Sequence, residues 1–283
     1  MKNIVKNKPA RKKNTLPGKT RRRQANELAA NVKKLAFSSP GLNDSIYELF
    51  SGKLMALEIT DFASRAFCQK LVDTVNRYPQ DRAYLHGNAA KTLESQHNRQ
   101  DSPGDYFAGA ATHPLLKEAA MVNVISQISA LLAASEKKVS VAYEPTRKQF
   151  YCPAIIREFH STLKLHNDLG AREGKGWNPI QKVKRQWALV LKLSTCTGGE
   201  TRWFPRQWQP EDECFFNTED TYSYDEAVVE GYPEFTFKGE EGTLILFDCT
   251  CFHAVNPVTA GRRYTLGGFV GLLEDTNELI IWS

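Results

Sequence analysis

The chain has 283 residues, of which 41% are hydrophobic and 24% charged, so it can bury a core of ordinary size. Its longest apolar segment, residues 119–134, is interrupted by Asn, Ser and Gln, which excludes a bilayer-spanning helix and favours an amphipathic one. The net charge of +5 comes from residues 1–23, which hold ten Lys or Arg and no acid; the remaining 27 basic and 32 acidic residues do not favour a nucleic-acid-binding body.

Residues 1–50 are predicted to form a basic tail followed by one or two short helices, and residues 51–283 a single domain. The tail could bind nucleic acid, an anionic surface or an organelle-import machinery, but we interpret it as a solvated, disordered leader. It lacks the apolar stretch of a secretory signal, and the six cysteines follow no disulfide framework. We therefore expect reduced thiols and a cytoplasmic location.

Residues 54–79 predict a short strand, MALEI, followed by a helix that Asp61 could cap and in which apolar residues recur at helical spacing. Residues 79–113 are polar and punctuated by Gly and Pro, and they predict a long loop. A second helix is expected at about 114–135, with one apolar face formed by Met121, Val124, Ile125, Ile128 and Leu132.

From residue 139 the pattern changes to short strands separated by turn signals, which together with the two helices predicts a mainly β, double-sheet barrel supported by helices. A long insertion, residues 204–232, is rich in aromatic and acidic residues, and with the loop 79–113 it is a predicted lid. The strands are expected at about 139–143, 148–158, 162–168, 185–195, 199–203, 234–238, 243–248, 251–258, 262–273 and 278–282.

A histidine and a carboxylate lie two residues apart in the segment LHNDLG. If this segment is extended, His166 and Asp168 point to the same face. His253, at the start of a strand after the apolar segment GTLILFDCTCF, can supply a third ligand. Two histidines and a carboxylate match the facial triad of non-haem iron(II) oxygenases, which leaves positions open for a 2-oxo acid and O2, whereas a closed zinc site would need a fourth protein ligand.

Other candidate metal ligands are weaker. His160 could share the inward face of an unbroken strand with His166. Cys249 and Cys251 form half of a zinc motif, and we interpret them as buried strand thiols instead. The remaining histidines, in or beside the polar loop, are expected to be surface residues: His86, His97 and His113.

Arg263 and Thr265 point the same way on the next strand, so a guanidinium and a hydroxyl can bind the far carboxylate of a 2-oxo acid. Lys164 shares a strand face with His166 and is a second candidate for this anchor, unless its ammonium reaches solvent at the barrel rim. Four further residues are candidates for substrate contacts, although the aromatic ones could equally be core residues: Arg157, Trp203, Phe204 and Trp208.

Several segments, in this order along the chain, resemble the iron(II)/2-oxoglutarate-dependent oxygenases: ALEITDF with its helix, LHNDLG, TGGETRWF and GTLILFDCTCFHAVNPVTAGRRYTLGGF. The resemblance implies a double-stranded β-helix, a relative of jelly rolls and cupins, with the metal between its sheets. It also implies Fe(II) held by His166, Asp168 and His253, 2-oxoglutarate anchored by Arg263 and Thr265, and O2 as the oxidant, with ascorbate as a helper.

YCPAIIRE and RRYTLGGFVGLLEDTNELIIWS are similar to the carrier-protein-independent oxygenases and halogenases that act on hapalindole-type alkaloids. Those halogenases have glycine where this chain has Asp168, because chloride takes the vacated coordination site. With Asp168 present, the resemblance implies hydroxylation, or a related oxidation such as desaturation, at an unactivated C–H bond of a small molecule in specialised metabolism. Succinate and CO2 would be the co-products.

Three alternatives stay open: hydroxylation of a protein side chain, of the prolyl type; demethylation of nucleic acid; and a cupin-type metal-binding barrel without O2 chemistry. The family's nucleic-acid repair members carry a second arginine downstream, but no Arg or Lys follows Arg263 here, so nucleic acid is not expected beyond weak contacts of the tail. The Arg-x-Thr and Gly-Gly-Glu segments weigh against the cupin alternative. A small-molecule substrate and no membrane partner are favoured, and no oligomeric state is predicted.

Overall fold

The computed structural model describes residues 31–82, 84, 89–220, 222–273 and 275–283, so the basic tail and His86 lie outside the described residues. The helices are α1 Leu42–Ser51, α2 Arg65–Val75, α3 Pro103–Thr112, α4 Ala119–Leu132 and the single turn α5 Gly170–Glu173. The strands are β1 Val32–Ala36, β2 Ala56–Thr60, β3 Ala89–Thr92, β4 Lys138–Val141, β5 Tyr143–Glu144, β6 Gln149–Phe150, β7 Ile155–Phe159, β8 Leu163–His166, β9 Arg185–Lys192, β10 Cys196–Gly198, β11 Thr201–Gln207, β12 Phe235–Phe237, β13 Leu244–Asp248, β14 Cys251–Val255, β15 Val258–Gly261, β16 Arg263–Leu273 and β17 Glu278–Trp282.

The strands form two larger sheets that face each other, and two further sheets of two strands each, β10-β15 and β5-β6. The nine-stranded major sheet has the order β1-β2-β13-β9-β16-β17-β4, with β7 paired to both β16 and β3, and the minor sheet has the order β12-β11-β14-β8. Pairing is antiparallel except at the two ends of the major sheet, where β1 runs parallel to β2 and β4 to β17. The predicted mainly β, double-stranded β-helix with supporting helices is confirmed.

The two faces of the major sheet bury different residues, as the two-residue period of a strand requires. On β9, Trp187, Leu189 and Leu191 pack into the core beneath α1, α2 and α4. The alternate residues Ala188 and Val190 lie in the space between the two sheets. Helices thus cover one face and leave the other for a cavity.

The helix α2 is capped by Ser64 and not by Asp61, so the predicted cap is wrong by three residues. Ser64 has extended backbone angles (φ −71°, ψ 151°), and its side chain accepts a hydrogen bond from the Phe67 N–H at 3.2 Å. Asp61 instead lies in a turn with φ 56°. Both residue types are good caps, so the sequence could not distinguish them.

We predict that Ser64→Ala lowers the free energy of unfolding by about 1 kcal/mol, the usual cost of a lost N-cap. Asp61→Gly is its matched control: it should not lower the free energy of unfolding, because glycine adopts a positive φ without steric cost. Urea unfolding of both variants measures the difference. If only Asp61→Gly lost stability, Asp61 and not Ser64 would be the residue that caps α2.

Residues 79–113 hold more structure than the predicted loop. Strand β3 pairs with β7, and α3 buries Tyr106 and Phe107. The Tyr106 hydroxyl donates to the Ser283 carbonyl oxygen at 2.8 Å, which ties this segment to the C-terminus. Gly and Pro residues favour a loop, but Pro103 occupies the first turn of α3, where its missing N–H costs nothing, so the loop prediction is wrong here.

The other elements agree with the sequence to different degrees. The predicted second helix is found as α4 with a 3₁₀ turn at each end, and every predicted strand from residue 139 onward overlaps an observed one. The sequence did not predict strand β1. Both β1 and α1 pack against the same core as the later elements. The domain boundary between residues 50 and 51 stays a prediction. Within the described ranges no helix alone is long and apolar enough to span a membrane; Pro103–Lys117 and Ala119–Ser135 reach that length and composition only as a pair bent by 104°.

Candidate metal centre and its cavity

Two histidines meet across neighbouring strands of the minor sheet. His166 on β8 and His253 on β14 are directly opposed, and their ring centroids are 4.2 Å apart. Asp168 follows two residues after His166, where the chain leaves β8, and its backbone N–H donates to the Cys249 carbonyl at 2.9 Å. This bond holds the turn so that the carboxylate lies beside the two rings.

The three side chains present their donor atoms to one point. Asp168 Oδ2 is 3.2 Å from His253 Nε2 and 4.0 Å from His166 Nε2, and one ligand atom from each residue lies within 4.8 Å of the others. The Nδ1 atoms point away: His166 Nδ1 is 2.7 Å from the Lys164 carbonyl oxygen, and His253 Nδ1 is 2.9 Å from that of Cys251. Imidazoles that donate from Nδ1 keep Nε2 as a metal ligand.

The protonation states also suit a metal. Burial, reinforced by His253, lowers the pKa of His166 to about 4, so this imidazole is neutral at neutral pH. Burial raises the pKa of Asp168, but the contact with His253 and the proximity of His166 lower it more, so the pKa lies well below its usual range. A neutral imidazole and an ionised carboxylate are the forms that bind a divalent cation. The predicted triad is therefore brought together, and it fits a metal with open positions on the cavity side.

The triad lies in a cavity of about 580 Å³ between the two sheets. Most of its wall is apolar or aromatic, as in ordinary small-molecule sites. Both predicted lid segments, 79–113 and 204–232, contribute to the wall. The aromatic residues around it are Tyr84, Phe159, Trp208, Phe216, Tyr222, Tyr224, Phe247 and Phe269.

Arg263 places a buried cation in the same cavity. It is 2% exposed, its Nε–H donates to the Gly199 carbonyl at 2.8 Å, and its guanidinium lies 4.8 Å from the centre of the Phe159 ring. Burial lowers the pKa of Arg263 to about 10, so it stays charged at neutral pH. No carboxylate of the described residues forms an ion pair with it. A buried charge of this kind is costly without an anionic partner, so the end of the cavity fits a carboxylate ligand.

The Gly-Gly turn after β10 makes room for this guanidinium. Gly199 has φ +70°, and a Cβ there would lie 2.7 Å from Arg263 Cδ, so glycine is needed for both conformation and space. Thr265, 1% exposed, lies on the same face of β16 and also lines the cavity. The predicted proximity of the Arg-x-Thr pair to the triad is thus found.

Three of the predicted site residues lie elsewhere. The Lys164 ammonium is exposed and pairs with Asp220 at 2.8 Å, because a solvent-facing carboxylate is a cheaper partner than the cavity interior. Trp203 is a core residue whose indole N–H donates to the Asp248 carbonyl at 2.9 Å. Phe204 packs in a separate apolar cluster with Phe252. Of the four proposed substrate residues, Arg157 and Trp208 line the cavity.

The weaker metal ligands also lie outside the triad. His160 is exposed, with Nδ1 3.9 Å from the Glu158 carboxylate. Cys249 and Cys251 are both buried, and burial raises the pKa of both thiols, but only Cys251 lies on a strand, since Cys249 is in the turn between β13 and β14. His113 is half-buried and accepts a hydrogen bond from the Leu115 N–H.

A cluster of charged residues at the cavity wall was not predicted. His97 Nδ1 is 3.5 Å from the Glu173 carboxylate, which raises the pKa of His97 although burial lowers it. Arg172 lies between Glu173 at 3.0 Å and Glu213 at 3.7 Å and stacks 4.5 Å from the Trp208 ring centre. These residues come from three separate segments of the chain, so no local sequence signal marks them.

This chain is similar to a known protein family and to a curated protein of a biosynthesis cluster. Residues 41–283 match the family model described as carrier-protein-independent halogenase WelO5. The chain is 28% identical over 206 residues to leucinostatins biosynthesis cluster protein S of Purpureocillium lilacinum, a match that covers 67% of this chain and 83% of that relative.

Among solved structures, an N-substituted L-amino acid dioxygenase from Burkholderia ambifaria AMMD in complex with alpha-KG gives a TM-score of 0.57 at 16% identity, covering 84% of this chain and 91% of that one. A second crystal structure of that dioxygenase gives 0.56, again at 16% identity, covering 84% and 90%. These likenesses confirm the fold, and the family match confirms the resemblance inferred from the sequence. Because the family model matches most of its length, this chain belongs to the carrier-protein-independent halogenase WelO5 family.

Proposed function

We propose that this protein is an iron(II)/2-oxoglutarate-dependent dioxygenase that hydroxylates an unactivated C–H bond of a small molecule in specialised metabolism. One observation carries the proposal: a two-histidine, one-carboxylate set and a buried, unpaired guanidinium share one cavity. A metal triad alone would suit many reactions. The guanidinium adds a site for a carboxylate, which a 2-oxo acid carries at the end away from the metal.

The triad and the Arg-x-Thr pair would have different roles. Iron(II), 2-oxoglutarate and O2, when bound, supply the oxidising chemistry and release succinate and CO2. His166, Asp168 and His253 would hold the metal from the minor sheet and leave its cavity side open. Arg263 and Thr265 would pair with the far carboxylate of 2-oxoglutarate and so fix the orientation of the co-substrate. Ascorbate would serve as a helper reductant.

The cavity wall would orient the substrate and exclude water. Trp208, Phe216 and Tyr222 surround the space beside the triad with aromatic surface. An apolar wall favours an apolar substrate body, and specificity would come from the few polar groups among these rings. The C–H bond nearest the metal would be the one oxidised, so substrate position decides the product.

Hydroxylation is preferred to halogenation because of Asp168. The related halogenases that the sequence resembles have glycine at this place and leave the coordination site to chloride. Here a carboxylate occupies it, with Oδ2 3.2 Å from His253 Nε2. A halide would have to displace an ionised ligand that the chain itself holds in place.

The comparisons support a small-molecule substrate. One relative is named for a biosynthesis cluster, and the dioxygenase of similar fold is named for N-substituted amino acids. The prolyl-type and cupin-type alternatives lack an observation in their favour. A reducing compartment such as the cytoplasm stays a prediction, supported by six cysteines that are all free thiols.

Anaerobic absorption spectroscopy tests the proposed function. Iron(II) and then 2-oxoglutarate are added to the metal-free protein, and we expect a weak visible charge-transfer band that requires both. Zinc(II) in place of iron(II) is the control and should give no band. Tight iron binding without a band would mean that the oxo acid does not chelate the metal, and the cupin-type alternative would replace the oxygenase.

A further inference from the structure

We propose that Arg157 binds a carboxylate group of the organic substrate, so that the substrate is a carboxylic acid with an apolar or aromatic body. The proposal rests on the proposed function, since it names the substrate class of the same cavity. It concerns a guanidinium that the metal and co-substrate sites leave unused.

Arg157 enters the cavity from the strand next to the Arg-x-Thr strand. On β7 it lies directly opposite Thr265 of β16, so the two side chains share a face of the major sheet. Its Nε–H donates to the Tyr84 hydroxyl at 3.1 Å, and the guanidinium lies 5.8 Å from the centre of the Tyr84 ring. These contacts fix the side chain but use only one of its donors.

The two terminal nitrogens of Arg157 are therefore available. Within the described part of the chain they make no hydrogen bond, and no carboxylate forms an ion pair with them. Arg172, the other guanidinium in the wall outside the proposed co-substrate anchor, is already neutralised by Glu173 and Glu213. A planar fork with two free N–H edges is the geometry that binds a carboxylate bidentately.

Gly267 on β16 gives the guanidinium its space. A Cβ at Gly267 would lie only 2.8 Å from Arg157 Nη1. This glycine has no positive φ, so its backbone conformation does not require glycine. The missing side chain instead lets the guanidinium lie against β16 at Gly267.

The carboxylate is assigned to the substrate because the co-substrate has other partners for both of its ends. In the proposed function the oxo-acid end chelates the metal and the far carboxylate meets Arg263 and Thr265. The rest of the cavity wall is largely apolar or aromatic and includes Trp208 and Phe216. One cationic anchor in a largely aromatic cavity fits an amphipathic acid whose apolar part fills the space and whose carboxylate fixes its position.

Paired probes test this assignment. N-acetyl-L-tryptophan, N-acetyl-L-phenylalanine and N-acetyl-L-leucine, each as the acid and as its neutral amide, are titrated calorimetrically into the anaerobic iron(II)- and 2-oxoglutarate-loaded protein. We expect at least one acid to bind about 10-fold or more tighter than its amide, as charge-assisted hydrogen bonds imply. Arg157→Gln should remove the preference, and Arg157→Lys should retain part of it. Arg77→Gln, which changes a surface arginine paired with Glu118, is the matched control and should keep it.

A glycine pair gives an independent test that leaves the arginine in place. Gly267→Ala should displace the guanidinium and weaken acid binding severalfold without affecting the amide. Gly104→Ala, where a Cβ meets nothing within 4 Å, is its control. Circular dichroism of each variant confirms that it is folded.

Several results would overturn the proposal: equal binding of every acid and its amide, no binding of any acid, or an acid preference that survives Arg157→Gln. If Arg157→Gln instead weakens 2-oxoglutarate, measured by titrating the charge-transfer band, the carboxylate belongs to the co-substrate and the substrate assignment is wrong. The titrations are repeated on the metal-free protein. If the wild type shows no charge-transfer band, the proposed function is wrong. The Arg157 proposal is tested separately, because the preference for an acid over its amide should also be measured in the metal-free protein and should still depend on Arg157.

Discussion

Asp168→Ala should lower 2-oxoglutarate turnover by more than about 100-fold, since even groups that only hydrogen-bond a metal ligand are worth roughly 10- to 100-fold. The variant removes the one anionic donor of the set and leaves the imidazoles of His166 and His253, so iron(II) should be held more weakly unless another anion takes the vacated position. Succinate release measures turnover, and equilibrium dialysis of iron(II) shows that the loss arises at the metal.

Matched variants separate the metal role from a general loss of structure. His160→Ala removes a histidine of the same region that lies outside the triad, so its turnover should equal that of the wild type. Asp168→Asn keeps the size of the side chain but not its charge and should lose most of the activity. Normal turnover in Asp168→Ala would show that another group holds the metal, and the triad would be abandoned.

The glycine variant tests the argument against halogenation. Asp168→Gly reproduces the residue of the related halogenases and opens a position that chloride can occupy. We expect chloride to alter the charge-transfer band of Asp168→Gly and to leave that of the wild type unchanged. A chloride-dependent band in the wild type would mean that Asp168 does not occupy the halide position.

The metal centre was predictable because its geometry is local. A His-x-Asp pair on an extended segment shares a face, and although β8 ends at His166 the Asp168 carboxylate still lies beside the two rings. The same period places Arg263 and Thr265 side by side on β16. The third ligand, His253, followed from a buried apolar strand that ends just before it, and antiparallel pairing of β8 with β14 then brings the rings together.

The sequence could not predict what depends on long-range pairing of loops. His97, Arg172 and Glu213 come from separate segments and meet only because the loops fold over one cavity. Lys164 shows the opposite failure: strand alternation suggested an inward face, but the residue lies at the rim, where Asp220 of the insertion offers a partner. The direction of this side chain depends on the position of Asp220, which is distant in the sequence and could not be placed from it.

Arg263→Gln should raise the 2-oxoglutarate concentration for half-maximal turnover by roughly 100-fold, because removing one partner of a buried charge pair costs about 3–5 kcal/mol, partly offset by the remaining amide. Iron(II) affinity should stay unchanged, since Arg263 is not among the three side chains that could hold a metal. Thr265→Val should have a smaller effect of about 10-fold, the lower end of what one hydrogen bond to a charged group contributes. Succinate release at varied 2-oxoglutarate gives these values.

Lys164→Gln is the control, because it removes the alternative cationic anchor, whose ammonium instead pairs with Asp220. It should leave the 2-oxoglutarate requirement unchanged, and a rise in Lys164→Gln with none in Arg263→Gln would move the anchor to Lys164.

The stability of the ligand-free protein adds a second readout. Since Arg263 is a 2% exposed cation that forms no ion pair with a carboxylate of the described residues, Arg263→Gln should raise the melting temperature while it weakens co-substrate binding. A residue retained for packing would lower the melting temperature when replaced, so the sign of this change distinguishes a binding role from a structural one.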